Sequence, residues 1–200
     1  MARHQENKKK TIMSETRRKL IEAATGEFSI QGFNKANVNH IADQAGFSIG
    51  TLYNYFPTKR ELMFAFITES SQLHVHFIQE EVLRAGLPAR RLEVFFEAGF
   101  AFIEQHITLA KAIFNTLNGP DEEFKLKLFQ AYQPLFQLLG EQIISEGIAQ
   151  DVFRRVDPVT TANLIMLVYL GVGSQFNREG KLWVQPQQVS EFILNSLLNR

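Results

Sequence analysis

The sequence predicts an all-α protein: a three-helix N-terminal head carrying a helix-turn-helix, then a larger helical body, about nine helices in all. Three observations lead there. Apolar residues recur at helical spacing in one segment after another, and no stretch makes a convincing strand. Glycine, proline and short polar residues stand where those segments end, as helix stops and caps. The chain has 200 residues, 45% of them hydrophobic, which is ordinary for a globular protein and enough for a substantial core. No internal repeat or low-complexity segment interrupts it.

Residues 1–13 are polar and basic, with Arg3, Lys8, Lys9 and Lys10, and read as a flexible arm. The head follows over 14–57. Leu20, Ala24 and Phe28 mark a first helix from about Ser14 to Gln31, weakened by Gly26 and ended by Gly32. Asn37 caps the second helix, whose buried stripe is Val38, Ile41, Ala42 and Ala45. Gly46 turns the chain, Ser48 caps the third helix, and Leu52 and Phe56 give it a buried side. Ile49, Gly50, Thr51, Tyr53 and Asn54 are left facing outward. Two short helices about a glycine turn form a helix-turn-helix, whose second helix lies in the DNA major groove.

Residues 58–200 read as an effector-binding and dimerisation body. Thr58 and Glu61 form a capping box at the start of a long helix reaching about Ala85, with Gly86 and Pro88 beyond it. Arg91 to His106 and Thr108 to Leu117 give two more helices. Asp121 caps another that extends to about Glu146. Pro158 opens an apolar helix to about Phe176, and a last helix spans about Gln187 to Leu198.

Net charge is zero, but its distribution is uneven. Residues 1–60 hold ten Lys/Arg and five Asp/Glu, net +5, and the remainder hold eleven and sixteen, net −5. A basic head on an acidic body is the electrostatic footprint of nucleic-acid binding. There is no cysteine, which excludes disulfides, thiolate nucleophiles and cysteine zinc sites. The N-terminus lacks the apolar region of a secretory signal. The run Ala162 to Gly173 is too short to span a bilayer. The expectation is a cytoplasmic protein without membrane association.

GTLYNYFPTKREL, after Gly46, strongly resembles the DNA-binding head of the TetR (tetracycline-repressor-like) family of bacterial transcription regulators. RKLIEAATGEFSIQGF resembles that family's first helix and NVNHIADQAG its second, from Arg17 to Leu62 without gaps. The resemblance implies a ligand-responsive regulator, a repressor released from a palindromic double-stranded operator by a small hydrophobic or aromatic effector. It places Asn39, Ile49, Gly50, Thr51 and Tyr53 near the bases and Tyr55 and Lys59 near phosphates. Ser48, the cap of the third helix, and the outward-facing Asn54 complete the expected DNA-binding set. Ile49 and Gly50 offer no side-chain hydrogen bonds, so DNA shape and apolar contacts carry part of the readout.

The resemblance also implies a homodimer through the last two helices; the candidates are Leu170, Val172, Val189, Phe192, Ile193 and Leu197. It implies an effector inside the body. Residues 95–136 contain eight of the eighteen phenylalanines, a pattern that suits a core as well as a ligand lining. The candidate lining is Phe66, Phe96, Phe100, Ile103, His106, Phe114, Phe129, Tyr132, Asn163 and Met166. Nothing in the sequence suggests catalysis, a metal or a cofactor: His74 and His76 diverge on a helix, and Gly171-Val172-Gly173 is not a dinucleotide loop. The alternative is an all-helical small-molecule-binding or interaction protein whose head does not act on DNA.

Overall fold

The structure, a computed structural model, describes the backbone of residues 2–199 and the side chains of residues 11–199. Nine helices run through the described residues: α1 (Ala2–Lys35), α2 (Val38–Ala45), α3 (Ile49–Tyr55), α4 (Lys59–Arg84), α5 (Pro88–Gln105), α6 (Ile107–Leu117), α7 (Glu122–Gln137), α8 (Pro158–Gly173) and α9 (Pro186–Leu197). Helix α7 continues directly into a π-helical stretch, Leu138–Ser145, and a last α turn, Glu146–Ala149. Among the described residues there is no strand, only two isolated bridges, Phe153 with Leu198 and Phe176 with Leu182.

The chain forms two compact units, Met1–Glu69 with Thr108–Lys127, and Ser70–Ile107 with Leu128–Arg200. This differs from the boundary expected at residues 57 and 58. The first part of α4, α6 and the start of α7 belong with the head because their side chains build its core. Phe66 meets Phe28 edge-on at 5.5 Å, and Phe124 meets Phe33 at 4.6 Å and Phe64 at 5.4 Å. Asn115 Nδ2 donates to the Phe28 and Ser29 carbonyls at 3.1 and 2.9 Å, taking up backbone acceptors near the end of α1.

Helix α1 starts at Ala2, where the sequence predicts a flexible arm over 1–13; Met1 and the side chains of residues 2–10 lie outside the described residues. Gly32, expected to end this helix, takes φ 65°, and the helix bends there and resumes to Lys35. Local caps follow the sequence. Asn37 Oδ1 accepts the Asn39 N–H at 2.9 Å, Ser48 Oγ accepts the Thr51 N–H at 3.1 Å, and Thr58 Oγ1 accepts the Glu61 N–H at 3.1 Å. Asp121 Oδ1 accepts the Phe124 N–H at 3.1 Å.

In the second unit α5 packs against α9 and the π stretch, and the π stretch packs against α8. The helix predicted to run regularly to about Glu146 widens at Leu138. The buried residues there are Leu138, Leu139, Gly140, Ile143 and Ile144. Five-residue spacing sets Leu138 with Ile143 and Leu139 with Ile144 on one face of a wide turn, which a 3.6-residue period cannot do. Ser145 Oγ donates to the Gly140 carbonyl five residues back at 2.7 Å.

Candidate functional site

The helix-turn-helix is shaped by short-range chemistry. Ile41 and Ala42 of α2 and Leu52 of α3 are buried, so each helix has one face fixed inside the head. Gly46 closes α2 at φ 78°, a left-handed conformation costly for any residue with a Cβ, and its N–H reaches the Ala42 and Asp43 carbonyls. Ser48 then starts α3 at once.

On the outward side, Asn39, Ser48, Gly50, Tyr53 and Asn54 are exposed, and Ile49, Thr51 and Tyr55 are half-buried. Tyr53 is 42% exposed, a large aromatic side chain at the surface of a seven-residue helix. The structure therefore brings the expected DNA-facing residues together on α2, α3 and the start of α4. Two of them are partly occupied. Ser48 Oγ and Thr51 Oγ1 lie 3.0 Å apart, so their hydroxyls serve the cap and each other. Lys59 Nζ donates to the Asn34 carbonyl at 3.3 Å and lies 4.8 Å from the Phe33 ring centre. Burial pushes the Lys59 ammonium down from its ordinary range, and the carboxylate of Glu27 opposes that.

Sequence reading missed the polar brace beneath α2. Glu27, 6% exposed on α1, accepts the Asn37 N–H at 3.0 Å and meets His40 Nδ1 at 2.8 Å. Burial pushes the pKa of this carboxyl up, but the Asn37 N–H, His40 and Lys59 outweigh burial and hold it below the ordinary value. The cap of α2 is thereby tied to α1. A glutamate within α1's apolar stripe was the available signal. Arg17 pairs with Glu69 and lies 5.3 Å from the Phe56 ring centre. Arg60 forks onto Asp121, at 2.8 and 3.2 Å, and onto Glu123, and covers Phe124 at 4.5 Å.

The candidate effector residues separate. Phe66 and Phe114 lie in the first unit, and Phe66 is core there against Phe28. In the second unit Phe96, Phe100, Ile103, Tyr132 and Met166 are buried, whereas His106 is exposed. Phe129 and Asn163 instead line an open groove of about 460 Å³ with Phe136, Gln137, Pro158 and Val159. The buried set surrounds a polar chain. His74 Nδ1 meets Tyr132 Oη at 2.8 Å, and His74 Nε2 meets Tyr169 Oη at 2.9 Å. Phe102 stacks on the His74 ring at 4.4 Å, and Phe100 stacks on Tyr169 at 5.4 Å. Tyr169 fits because Gly99 has no side chain: a Cβ there would stand 2.5 Å from Tyr169 Cε2.

The six expected dimer residues are placed unevenly in the protomer. Val189, Ile193 and Leu197 are buried within the protomer, because this stripe of α9 packs on its own unit. Leu170 and Val172 are half-buried. Of the six, Phe192 alone is fully outward, 72% exposed. On α8, Leu164 and Leu167 are also exposed apolar residues, missed from the sequence. Among the described residues no helix is long and apolar enough to cross a membrane.

Residues 20–66 match the family model described as bacterial regulatory proteins, tetR family. An uncharacterised HTH-type transcriptional regulator of Bacillus subtilis, YdgC, is 31% identical over 57% of this chain, and the match spans only 60% of that protein. The HTH-type transcriptional repressor KstR2 of Mycobacterium tuberculosis is 30% identical over 148 residues, 69% of each chain. The fold resembles that of the transcriptional regulator FadR from Bacillus subtilis in complex with stearoyl-CoA, with a TM-score of 0.79, 19% identity, and coverage of 89% of this chain and 97% of that one. The family-model match over residues 20–66 and a repressor at 30% identity over 69% of each chain agree: the chain belongs to the tetR family of bacterial regulatory proteins.

Proposed function

We propose that this protein is a homodimeric repressor that leaves a palindromic operator when a hydrophobic small molecule binds its second unit. One observation carries the DNA reading: a capped, two-sided α3 that fixes Leu52 inside and presents Tyr53, Asn54 and Gly50 outward. One small head makes few phosphate contacts, so two are needed on a symmetric site. The exposed apolar side chains of Leu164 and Leu167 on α8 and of Phe192 on α9 supply the contact between protomers. KstR2, a repressor by name, supports the sign of regulation. FadR, solved with stearoyl-CoA, supports an effector with a long apolar part.

The mechanism is a population shift. The effector prefers one conformation of the second unit, the operator another of the head, and α4 runs through the chain of both units. Catalysis has no part in this, and the site of action is the cytoplasm. The test is fluorescence anisotropy on the DNA upstream of the coding region, with and without stearoyl-CoA as first probe. The reading predicts one dimer per half-site pair and release on adding the acyl-CoA or a shorter-chain analogue. Monomeric binding, or a complex that no acyl-CoA disturbs, contradicts it.

A further inference from the structure

Four buried polar side chains of the second unit have no role in DNA binding. Ser71 and His74 stand one turn apart on α4, Tyr132 is on α7 and Tyr169 on α8. Both tyrosine hydroxyls meet His74, as described above. Ser71 is 0% exposed and its hydroxyl bears on the Tyr132 phenol, yet its Oγ has no hydrogen-bond partner among the described residues.

The protons do not balance. Burial, with His106 nearby, pushes His74 down to about 3, so at neutral pH the ring has one N–H and one bare nitrogen. Burial pushes both phenols up, so both stay protonated. One tyrosine donates to the bare nitrogen, and the other accepts from the N–H. The accepting tyrosine keeps an O–H that His74 does not take up. Changing the tautomer exchanges the two tyrosines and leaves the sum unchanged. Even where Ser71 and Tyr132 share a proton, the cluster has a buried O–H donor to spare, an arrangement that native cores seldom leave unanswered. An acceptor oxygen answers it. It must be neutral: among the described residues no lysine or arginine is buried in this unit to balance an anion.

We propose that Ser71, Tyr132, His74 and Tyr169 form the polar end of the effector site and take a neutral carbonyl oxygen at the head of an apolar chain or ring. The inference rests on the reading that the second unit binds the effector, and it adds what that effector must present. The cluster is closed by Phe100, Phe102 and the Tyr169 ring lying against Gly99. The ligand therefore binds a less populated, opened form, and its affinity carries that fraction.

The test uses the full-length protein and three probe series of increasing chain length: 2-alkanones, the isosteric 2-methyl-1-alkenes, and carboxylates. Binding is read by calorimetry, and DNA affinity is read on the same samples. At the best length the ketone binds at least about fivefold tighter than the alkene, the effect of a hydrogen bond, and tighter than the carboxylate. Ser71→Ala lowers the ketone-to-alkene ratio about threefold or more and leaves the thermal midpoint of the free protein unchanged or higher, since an unpaired donor is gone. Tyr132→Phe and Tyr169→Phe are second variants, and one or both lower the ratio. Ketone and alkene binding alike at every length overturns the proposal, as does a carboxylate that binds as tightly as the ketone. So does a Ser71→Ala protein that is less stable with its ratio unchanged, the behaviour of a serine that only packs. Any of these leaves the DNA-binding reading intact. A ketone that binds with the expected ratio but never releases DNA removes the regulatory role and keeps the site.

Discussion

Replacing Glu27 by alanine tests the brace that holds the helix-turn-helix. The carboxylate is almost fully buried and accepts two hydrogen bonds, from the Asn37 N–H and from His40. A hydrogen bond to a charged group contributes about 1.5–3 kcal/mol, and the bond to the partly buried Asn37 N–H lies within that range. The His40 side chain is more than half exposed, so water recovers much of its share. The loss expected for Glu27→Ala is therefore about 2–3 kcal/mol in urea unfolding followed by circular dichroism, and about 1 kcal/mol for Glu27→Gln, which keeps a neutral acceptor. The pH dependence has a definite sign. The folded pKa is lowered below the ordinary 4.5, so the ionised Glu27 adds stability above that value, and the gain disappears as pH falls through the folded pKa. The difference between wild type and Glu27→Gln must therefore shrink on acidification from pH 7. An alanine variant within 0.5 kcal/mol of wild type, or a Glu-to-Gln gap that grows as pH falls, would refute the reasoning.

Further outcomes follow from the same geometry. Gly99→Ala drives a methyl group into the Tyr169 ring and should cost about 2 kcal/mol, with a changed near-ultraviolet dichroism from the displaced tyrosine. Asn37→Ala removes the α2 cap and should cost about 1 kcal/mol of unfolding free energy while the far-ultraviolet spectrum stays helical. Leu167→Glu, at a position 66% exposed, should leave the protomer folded, shift sedimentation toward the monomer and weaken operator binding; a dimer as tight as wild type would remove this face from the interface.

What could be read from the sequence was what neighbouring residues decide. Gly46, Ser48, Asn37, Thr58 and Asp121 act within a few positions of themselves, and each occupies its predicted place. Contacts distant in sequence could not be read. Glu27 meets Asn37 and His40 across a turn, and Arg60 meets Asp121 and Glu123 some sixty positions on, which draws the start of α7 into the head. Helix α9 shows a different limit. Both of its sides are apolar at places, and periodicity cannot say that Val189, Ile193 and Leu197 face their own unit while Phe192 faces out. The phenylalanine-rich stretch posed the same difficulty: composition gathered Phe66, Phe114, Phe129 and Phe100 into one lining, and the chain distributes them over two units and an open groove. The π stretch was hidden because Leu139 and Ile143, four positions apart, also fit an α-helical stripe.

The central claim is that the exposed face of α3 reads DNA as one half of a pair. The direct measurement is the affinity for the DNA upstream of the coding region across a salt series, for wild type and Tyr53→Ala, with Lys59→Ala alongside. The account predicts an affinity that falls linearly on a log–log plot as salt rises. It also predicts weaker specific binding by Tyr53→Ala with little loss of stability, because that side chain is 42% exposed. Salt-independent binding, or a Tyr53→Ala protein that binds as wild type does, would contradict it.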